Sequence, residues 1–259
     1  MDYLTGENFK KYLTTKYIGK TIIHFDQIDS TNLYAKNMGD TLEHGTVITC
    51  EEQKTGRGRL GKKWESQSGS MCMSILVKPE IKLHQVSKIT QVCAAAVSIA
   101  LDELSINTQI KWPNDIIMNN KKICGILTEM KTEMNVLTYI VIGIGLNVNN
   151  EDFPNEIQNT ATSIFIETGL SFEKNIIAAK ILNNFEILYD EFIKDNYKAS
   201  LDICRKKSYV LGKQINLIEN NIVKKAKAID LGNDGELIVQ YEDGRIDNII
   251  SGEISVRLS

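Results

Sequence analysis

The segment 53–64 carries side chains that could bind a phosphate or a carboxylate. In full it reads Gln53-Lys54-Thr55-Gly56-Arg57-Gly58-Arg59-Leu60-Gly61-Lys62-Lys63-Trp64. Glycine allows the backbone to approach a ligand closely, and the arginine guanidinium offers a planar set of donors to oxyanions. The closing tryptophan offers a flat face to a purine. The segment therefore predicts a loop that folds over a nucleotide-like anion, with a flexible basic surface loop as the alternative.

A phosphate-binding P-loop is one rival interpretation of this segment. The stretch from Gly56 to Lys62 fits G-x-x-x-x-G-K, but the next position should carry a Ser or Thr hydroxyl for Mg²⁺ and holds Lys63 instead. A P-loop also leads directly into an amphipathic helix, whereas the segment 64–70 is polar and has no helical periodicity. These two departures argue against the P-loop.

A second informative run follows about fifty residues later and predicts two strands joined by a tight turn. Apolar residues lie on both sides of Asn119-Asn120, a pair that favours a β-turn. Because Pro113 keeps Trp112 extended and cannot donate to a sheet, Lys111 lies where a strand gives way to a turn. A cation held there could point into a cleft, although a single lysine is more often a surface residue. Gly125 leaves space within the second strand.

Two further segments combine small or amide side chains with a defined local structure. Ser30, Thr31 and Asn32 stand at the start of a predicted helix, where they could cap it or present hydrogen-bonding groups to a polar ligand. The segment 141–149 begins like a dinucleotide fingerprint but lacks the third glycine, so we interpret it as a buried strand. Its Asn147 offers an amide to a ligand.

The composition of the 259 residues limits the possible partners and compartment. The net charge of −3 gives no basic field for nucleic acid. No apolar run approaches the roughly 20 residues that span a bilayer, and the N-terminus lacks the features of a signal peptide. The five cysteines form no C-x-x-C pair, which favours reduced thiols and argues against zinc. We therefore expect a cytoplasmic protein with no membrane and no DNA partner.

The periodicity of the middle of the chain predicts an α/β fold. Apolar residues recur at helical spacing over the segment 84–104 and again over about 171–194. After Tyr209 the pattern changes to short apolar runs separated by Asn220-Asn221 and by two glycine-containing turns. A small β-barrel of about fifty residues, packed on the main domain, is the natural interpretation of this last part.

Five segments, taken in order along the chain, closely resemble the biotin–protein ligase family. They are Asp29-Ser30-Thr31-Asn32, the glycine–arginine loop up to Trp64, Lys111-Trp112-Pro113-Asn114-Asp115, Gly125-Ile126-Leu127 and Gly143-Ile144-Gly145-Leu146-Asn147. The resemblance begins at about residue 20 and reaches the C-terminus, where Ser251–Arg257 resembles the family's last strand. The loop and the Lys-Trp-Pro-Asn-Asp run are its specific parts.

The resemblance implies a fold class and two domains. Residues 1–208 should form a class II synthetase-like catalytic domain with a central mixed sheet flanked by helices. Residues 209–259 should form a small SH3-like β-barrel. Residues 1–20 would contain only a short helix and no winged helix, so we expect a ligase without the repressor function of some family members.

The resemblance also implies the reaction. The family uses ATP to activate biotin as biotinyl-5'-adenylate and transfers the biotin to a lysine of a biotin carboxyl carrier domain. A carboxylate with a pKa of about 4–5 needs no general base at neutral pH, so the site needs cations that bring two anions together. Mg²⁺ would accompany ATP and be held largely by phosphates and water, so no metal-binding residue is assigned. A homodimer is compatible with this family.

Residue roles follow from the same resemblance. The biotin-binding set comprises Ser30, Thr31, Asn32, Gln53, Gly56, Arg57, Gly58, Arg59, Lys111 and Gly125. The set for ATP and the adenylate comprises Arg59, Lys62, Trp64, Lys111, Asn147 and Arg257, with Glu253 as a weaker candidate. The catalytic cations are Lys111, Arg57 and Arg59. Two alternatives remain open at this point: a lipoate or octanoate ligase of the same fold, and a catalytically inactive binding module.

Overall fold

The computed structural model describes residues 4–219, 222–250 and 255–258. The α-helices are α1 (Gly6–Lys10), α2 (Thr31–Met38), α3 (Val86–Asp102), α4 (Ile164–Thr168), α5 (Lys174–Ile193) and α6 (Lys198–Lys206). The strands of the first half are β1 (Ile22–Ile28), β2 (Val47–Gln53), β3 (Ser70–Val77), β4 (Gln109–Lys111), β5 (Asp115–Met118), β6 (Lys121–Glu133) and β7 (Val136–Asn147). The C-terminal strands are β8 (Gln214–Glu219), β9 (Ile222–Leu231), β10 (Leu237–Tyr241), β11 (Ile246–Ile249) and β12 (Ser255–Leu258).

A mixed sheet of seven strands, in the order β1-β2-β3-β7-β6-β5-β4, forms the centre of the molecule. The β1–β2 pair is parallel, and every other neighbouring pair is antiparallel. Strands β3 and β7 lie in the middle, and all eight residues of β3 are buried. Residues buried on both faces of a strand require layers on both sides of the sheet, and the helices provide them.

One face of the sheet carries the main hydrophobic core. Helix α3 runs over this face and packs against α5, and its run of alanines at 94–96 is fully buried because small side chains allow close approach. The helical stripe predicted over the segment 84–104 is therefore confirmed, apart from a 3₁₀ turn over Leu83–Gln85 that precedes the α-helix. Helix α5 confirms the second predicted helix, beginning three residues later than expected.

The opposite face of the sheet is covered only in part. Helix α2 packs there in a smaller apolar cluster with Ile48, Leu76, Tyr139 and Val141. Ser30 caps this helix, because its side chain accepts a hydrogen bond from the Leu33 N–H. Helix α2 does not extend over the rest of this face, toward strand β4, and the site described below lies there.

The predicted strands and turns around the second motif are confirmed. Strands β5 and β6 are joined at Asn119 and Asn120, whose positive φ angles of 48° and 67° suit a two-residue hairpin turn. Strand β7 contains the predicted buried strand but begins at Val136, since a second hairpin through Met134 and Asn135 joins it to β6.

The C-terminal strands form a separate antiparallel sheet in the order β11-β10-β9-β8-β12. Two predicted turns lie between its strands, at 232–235 and 242–244, while the predicted turn at Asn220-Asn221 lies outside the described residues. The predicted fold class, a mixed sheet flanked by helices with a small C-terminal β-domain, is confirmed. No helix within the described residues is both long enough and apolar enough to cross a bilayer.

Candidate active site

A row of residues that are partners in the strand register crosses the open face of the sheet. From β4 to β2 the row consists of Lys111, Asp115, Gly125, Gly145, Cys72 and Cys50. Directly paired residues point to the same face of a sheet, so these six positions share the face left open beside α2. The sheet register thus brings residues from six strands into one line, with Lys111 at its outer end.

Glycines make the floor of this row accessible to a large side chain. The Trp64 indole lies over Gly145, where a Cβ would fall 2.4 Å from Cε2 of the ring. A Cβ on Gly125 would fall 3.2 Å from Cζ3 of the same ring. Any larger residue at Gly145 would therefore displace Trp64, which explains why a strand that is otherwise rich in branched apolar residues contains glycine here.

The predicted anion-binding loop is a short hairpin above this floor. The Trp64 N–H donates to the Gly56 carbonyl over 2.9 Å, and the Gly58 N–H donates to the Lys62 carbonyl over 2.7 Å. Gly56 lies at the base of the hairpin, where a Cβ would approach the Trp64 carbonyl oxygen to 2.3 Å. Leu60 at the tip has a positive φ of 55°. We call residues 56–64 the cation hairpin.

Each arginine of the cation hairpin has a polar partner on the sheet. The Arg57 Nη1 lies 3.5 Å from Oε1 of Glu129 on β6. The Arg59 Nη1 donates to Oδ1 of Asn114 over 2.8 Å, and the Asn114 Nδ2 donates to the Ile126 carbonyl. Burial lowers the pKa of Arg59 below the usual arginine value. The hairpin is therefore held closed over the floor by contacts with the second motif.

The end of the open face beside α2 is lined by neutral hydrogen-bonding groups. The Thr31 N–H donates to Gln53 Oε1 over 2.9 Å. The Ser74 hydroxyl lies 2.7 Å from Thr31 Oγ1 and 2.6 Å from Asn32 Oδ1. Asn32 Nδ2 donates to the Leu127 carbonyl and to Glu129. Because each of these groups already has a partner, the cluster is fixed before any ligand arrives.

The neutral end and the cation hairpin open into one cleft of about 250 Å³. Among the described residues that line it, the cationic ones are Arg57, Arg59, Lys62, Lys63, Lys111 and Lys122, and the only acidic one is Asp115. Asp115 Oδ1 lies 2.6 Å from Lys122 Nζ. The cleft therefore pairs a neutral polar pocket with a strongly cationic region, which suits a ligand with an uncharged polar head and an anionic tail.

Most of the predicted site residues line this cleft. They are Ser30, Thr31, Asn32, Gln53, Arg57, Gly58, Arg59, Lys62, Trp64, Lys111 and Gly125. Gly56 lies at the hairpin base and Asn147 lies beyond the lining, where its Nδ2 donates to the Thr162 carbonyl. The backbone of Arg257 belongs to β12 and pairs with Asn216. Glu253 lies outside the described residues. The structure shows where the described residues lie, and the ligand-binding role assigned to each predicted site residue stays a prediction.

Three residues with a place in the site were missed by sequence reasoning. Ser74 faces the same side as Gly143, its register partner, and Glu129 lies four residues after Gly125 on the same strand face. The strand periodicity could have indicated both. Lys122 differs, because a register shift opposite Ile116 and Ile117 changes the alternation of β6 and turns Lys122 toward Trp64, with Nζ 5.6 Å from the ring. A sequence does not reveal such a bulge.

The residues around the cleft do not form a resident metal site. Among the described residues, no three His, Cys, Asp or Glu side chains are grouped so that they could hold a metal ion. The excess of cations in the cleft suits phosphate oxygens rather than a bare metal ion.

Comparison with known proteins identifies the class that this fold and cleft define. Residues 24–147 match the family described as "Biotin/lipoate A/B protein ligase family", and residues 210–257 match "Biotin protein ligase C terminal domain". Both matches point to the class of biotin and lipoate protein ligases.

Individual relatives show which members of this class the chain is similar to. The bifunctional ligase/repressor BirA of Bacillus subtilis is 32% identical over 249 residues, which cover 94% of this chain and 76% of that protein. The biotin--[acetyl-CoA-carboxylase] ligase of Mycobacterium tuberculosis is 27% identical over 200 residues, covering 74% of this chain and 72% of that protein. The biotin protein ligase of Aquifex aeolicus in complex with biotin and ATP superposes with a TM-score of 0.83 at 32% identity, covering 93% and 100% of the two chains. The chain belongs to the biotin protein ligase family, and its predicted enzyme class is confirmed.

Proposed function

We propose that this enzyme converts biotin and ATP to biotinyl-5'-adenylate and then transfers the biotin to a lysine of a biotin carboxyl carrier domain. One observation carries the proposal: the neutral pocket and the cation hairpin open into the same 250 Å³ cleft. Biotin has a neutral ureido head and a carboxylate tail, so it matches the two ends of the cleft. The complex of the Aquifex relative with biotin and ATP supports this choice of substrates.

The neutral pocket is suited to the ureido head. Gln53 Oε1 is already occupied by the Thr31 N–H, so its Nε2 donors are the groups that remain for a ligand carbonyl. The hydroxyls of Ser74 and Thr31 supply two protons, which are shared among the side-chain oxygens of this cluster. Oxygen lone pairs, including those of Asn32, therefore remain to accept hydrogen bonds from the ureido N–H groups. Gly143 allows this cluster to approach the sheet, since a Cβ there would fall 2.2 Å from Asn32 Oδ1.

The cationic end is suited to the first chemical step. The biotin carboxylate attacks the α-phosphorus of ATP, a new P–O bond forms, and the bond to the β-phosphate oxygen breaks to release pyrophosphate. Two anions meet in this step, so Lys111, Arg57 and Arg59 would act by positioning and charge stabilisation. Lys62 would contact the phosphates and Trp64 the adenine. Mg²⁺ would enter with ATP.

The second step requires that the adenylate be kept from water. The acceptor lysine attacks the acyl carbon, forms an amide and expels AMP. A mixed anhydride hydrolyses readily, and the cation hairpin, held closed by Arg59 and Asn114, would cover it. Catalytic residues would then come from residues 1–208 and, through Arg257, from the small domain of residues 209–259.

Exchange of labelled pyrophosphate into ATP tests the first step. Exchange should require biotin and should not occur with lipoate or octanoate in its place. Exchange with lipoate but not biotin would favour the other branch of the ligase class, and no exchange with any of the three acids would indicate an inactive module. Transfer is tested separately with a carrier domain, where label from biotin should appear on one lysine and a Lys→Arg carrier should remain unlabelled.

A further inference from the structure

Two of the five cysteines stand side by side at the inner end of the row that forms the cleft floor. Cys50 of β2 and Cys72 of β3 are partners in the antiparallel register, so their side chains leave the sheet on the same face. Directly opposed residues have Cα atoms about 4.5–5.5 Å apart. A disulfide spans Cα separations of about 4.4–6.8 Å, so the backbone already holds these thiols at a distance that a disulfide can bridge.

The surroundings of this pair differ from those of the other thiols. Cys93, Cys124 and Cys204 lie in the apolar core, where burial raises the pKa of each thiol. Cys72 instead lines the cleft, and its Sγ lies 3.4 Å from the Ser66 hydroxyl. Cys72 is 2% exposed and is the one cysteine among the described residues that line the cleft, and the fully buried Cys50 lies beside it on the neighbouring strand.

Hydrogen bonding within the pair shifts the pKa values of the two thiols in opposite directions. A hydrogen bond from Cys50 is the largest effect and lowers the pKa of Cys72, while the contact raises the pKa of Cys50. The thiolate is the nucleophilic form of cysteine. The sulfur at the cleft wall is thus the one that meets an oxidant first, and Cys50 lies beside it in position to resolve an oxidised intermediate.

We propose that Cys50 and Cys72 form an oxidisable dithiol, which a hydroperoxide small enough to enter the cleft converts to a disulfide. The Cys72 thiolate attacks a peroxide oxygen, the O–O bond breaks, and a sulfenic acid and the first water form. The Cys50 sulfur then attacks the sulfenic sulfur, the S–S bond forms, and the second water leaves. Two thiols lose two electrons in total, and hydrogen peroxide is reduced to two molecules of water.

The disulfide would act on the cleft through two existing contacts. Ser66, the partner of Cys72, also accepts a hydrogen bond from the Gln53 N–H over 3.2 Å. Gly145, the register partner of Cys72, carries the Trp64 ring. Oxidation would turn the Cys72 sulfur toward Cys50 and away from the Ser66 hydroxyl, so we expect the oxidised protein to lose affinity for biotin. This effect rests on the proposed function, whereas disulfide formation does not.

Thiol mapping of the whole protein tests the site without any ligand. The reduced protein is treated with hydrogen peroxide, alkylated under denaturing conditions and digested. Three of its five cysteines should be alkylated, and the remaining two should appear as one peptide pair joined between Cys50 and Cys72, with a mass loss of about 2 Da. Five alkylated thiols, or a disulfide that involves any other cysteine, would overturn the proposal.

Single variants test the order of the two steps. Cys50→Ala should stop the reaction at a sulfenic acid on Cys72 that dimedone traps, and Cys93→Ala, the matched control from the core, should still form the disulfide. Dimedone labelling of Cys50 in Cys72→Ala would contradict the assignment of Cys72 as the attacking sulfur. If the mapped disulfide forms but biotin affinity is unchanged and unaffected by dithiothreitol, the site stands and its effect on binding is refuted. Failure of the reduced protein to bind biotin would instead refute the proposed function.

Discussion

The Trp112 Nε1–H donates a hydrogen bond of 2.9 Å to the carbonyl oxygen of Gly235. Trp112 directly follows Lys111 in the cleft, whereas Gly235 lies in the turn between β9 and β10 of the C-terminal sheet. The same carbonyl accepts a second hydrogen bond, from Gln91 Nε2 on α3. The Nζ of Lys88, also on α3, lies 2.7 Å from Oδ1 of Asp234 in that turn. The C-terminal sheet therefore holds the strand end that carries Lys111.

Gly235→Ala should destabilise this junction and slow adenylate formation. Gly235 has a φ of +82°, and a Cβ there would fall 2.6 Å from the Tyr197 hydroxyl and 2.7 Å from Gln91 Nε2. A misplacement of about 1 Å at a reacting group can cost on the order of 100-fold in rate, so we expect at least a severalfold loss. Stopped-flow or quenched-flow measurement of single-turnover adenylation checks this.

Gly244→Ala is the matched control for that variant. Its φ of +84° is nearly the same, but nothing lies within 4 Å of the added Cβ. In both variants the left-handed conformation destabilises the protein by about 1–2 kcal/mol. Only Gly235→Ala also disturbs the contact between the C-terminal sheet and Trp112. Equal adenylation rates for the two variants would show that the turn does not position Lys111.

Lys111→Ala should nearly abolish adenylate formation. The residue stands at the outer end of the cleft floor, opposite Asp115 in the register, where two substrate anions would meet. Loss of one such preorganised contact costs about 2.7–4 kcal/mol, or about 10²–10³ in rate. Lys121→Ala, which removes a lysine outside the cleft lining, should retain the parent rate. If the single-turnover rate of adenylation fell by less than about tenfold in Lys111→Ala, the role assigned to Lys111 would be wrong.

Arg59→Gly should release the adenylate faster than the parent enzyme does. The Arg59–Asn114 hydrogen bond of 2.8 Å joins the tip of the cation hairpin to the sheet. Its loss should allow the hairpin to open over the bound adenylate, and this effect should be larger than any decrease in the rate of adenylate synthesis. Lys63→Gly places the same residue in the same hairpin and also removes a cation of the cleft lining, but the partner of Lys63 is Glu65 of the same loop and not the sheet. Free biotinyl-adenylate is measured in solution over time. The same rate of appearance from all three proteins would refute the lid role.

Sequence reasoning predicted the elements of the fold because their signals are local. The stripes of α3 and α5, the Asn119-Asn120 turn and the buried strand β7 each follow from the periodicity or turn chemistry of a few neighbouring residues. The cleft lining was predicted from the resemblance, since no local rule brings Gln53 next to Thr31. That contact depends on the parallel pairing of β1 with β2.

The remaining features depend on register, which the sequence does not reveal. The pairing of Cys50 with Cys72 and of Gly125 with Gly145 follows from strand alignment across four strands. The position of Lys122 follows from a bulge, and the anchoring of Trp112 follows from the docking of a second sheet. Each is a long-range relation between residues whose local sequence is ordinary.

Glu186→Ala should destabilise the protein through the N-terminal segment. One buried carboxylate accepts the N–H groups of Lys16, Tyr17 and Ile18 over 2.5, 3.0 and 2.8 Å. Hydrogen bonds to a charged group contribute about 1.5–3 kcal/mol, so a loss of about 3 kcal/mol is expected in urea unfolding. Glu186→Gln should recover only part of it, because its NH₂ group would face backbone donors. Glu191→Ala, at a half-buried position near the end of the same helix, removes only contacts with Lys194 and Asn196 and should cost about 0.5–1 kcal/mol. A cost that small for Glu186→Ala would contradict the role of Glu186 in holding the N-terminal segment.

His44 should make the stability of this enzyme depend on pH near neutrality. Its Nδ1 accepts a hydrogen bond of 2.9 Å from the Lys78 N–H, and its ring packs between Tyr17 and Tyr189. Burial lowers the pKa of His44, and the nearby Asp190 only partly opposes this effect. Protonation is therefore harder in the folded state than in the unfolded chain, where the pKa is about 6.5.

The sign of the effect follows from proton binding. Above about pH 7 both states carry a neutral imidazole, so His44 exerts no pH-dependent effect on stability. As the pH falls through about 6.5 the unfolded chain takes up the proton first, and the free energy of unfolding declines until the folded-state pKa is passed. His44→Asn keeps an acceptor for the Lys78 N–H and cannot titrate, so its free energy of unfolding should decline less between about pH 7 and pH 5. Urea unfolding of the parent protein and of His44→Asn across this pH range measures the two declines in free energy of unfolding. If the two declines were equal, His44 would not be the cause of the pH dependence.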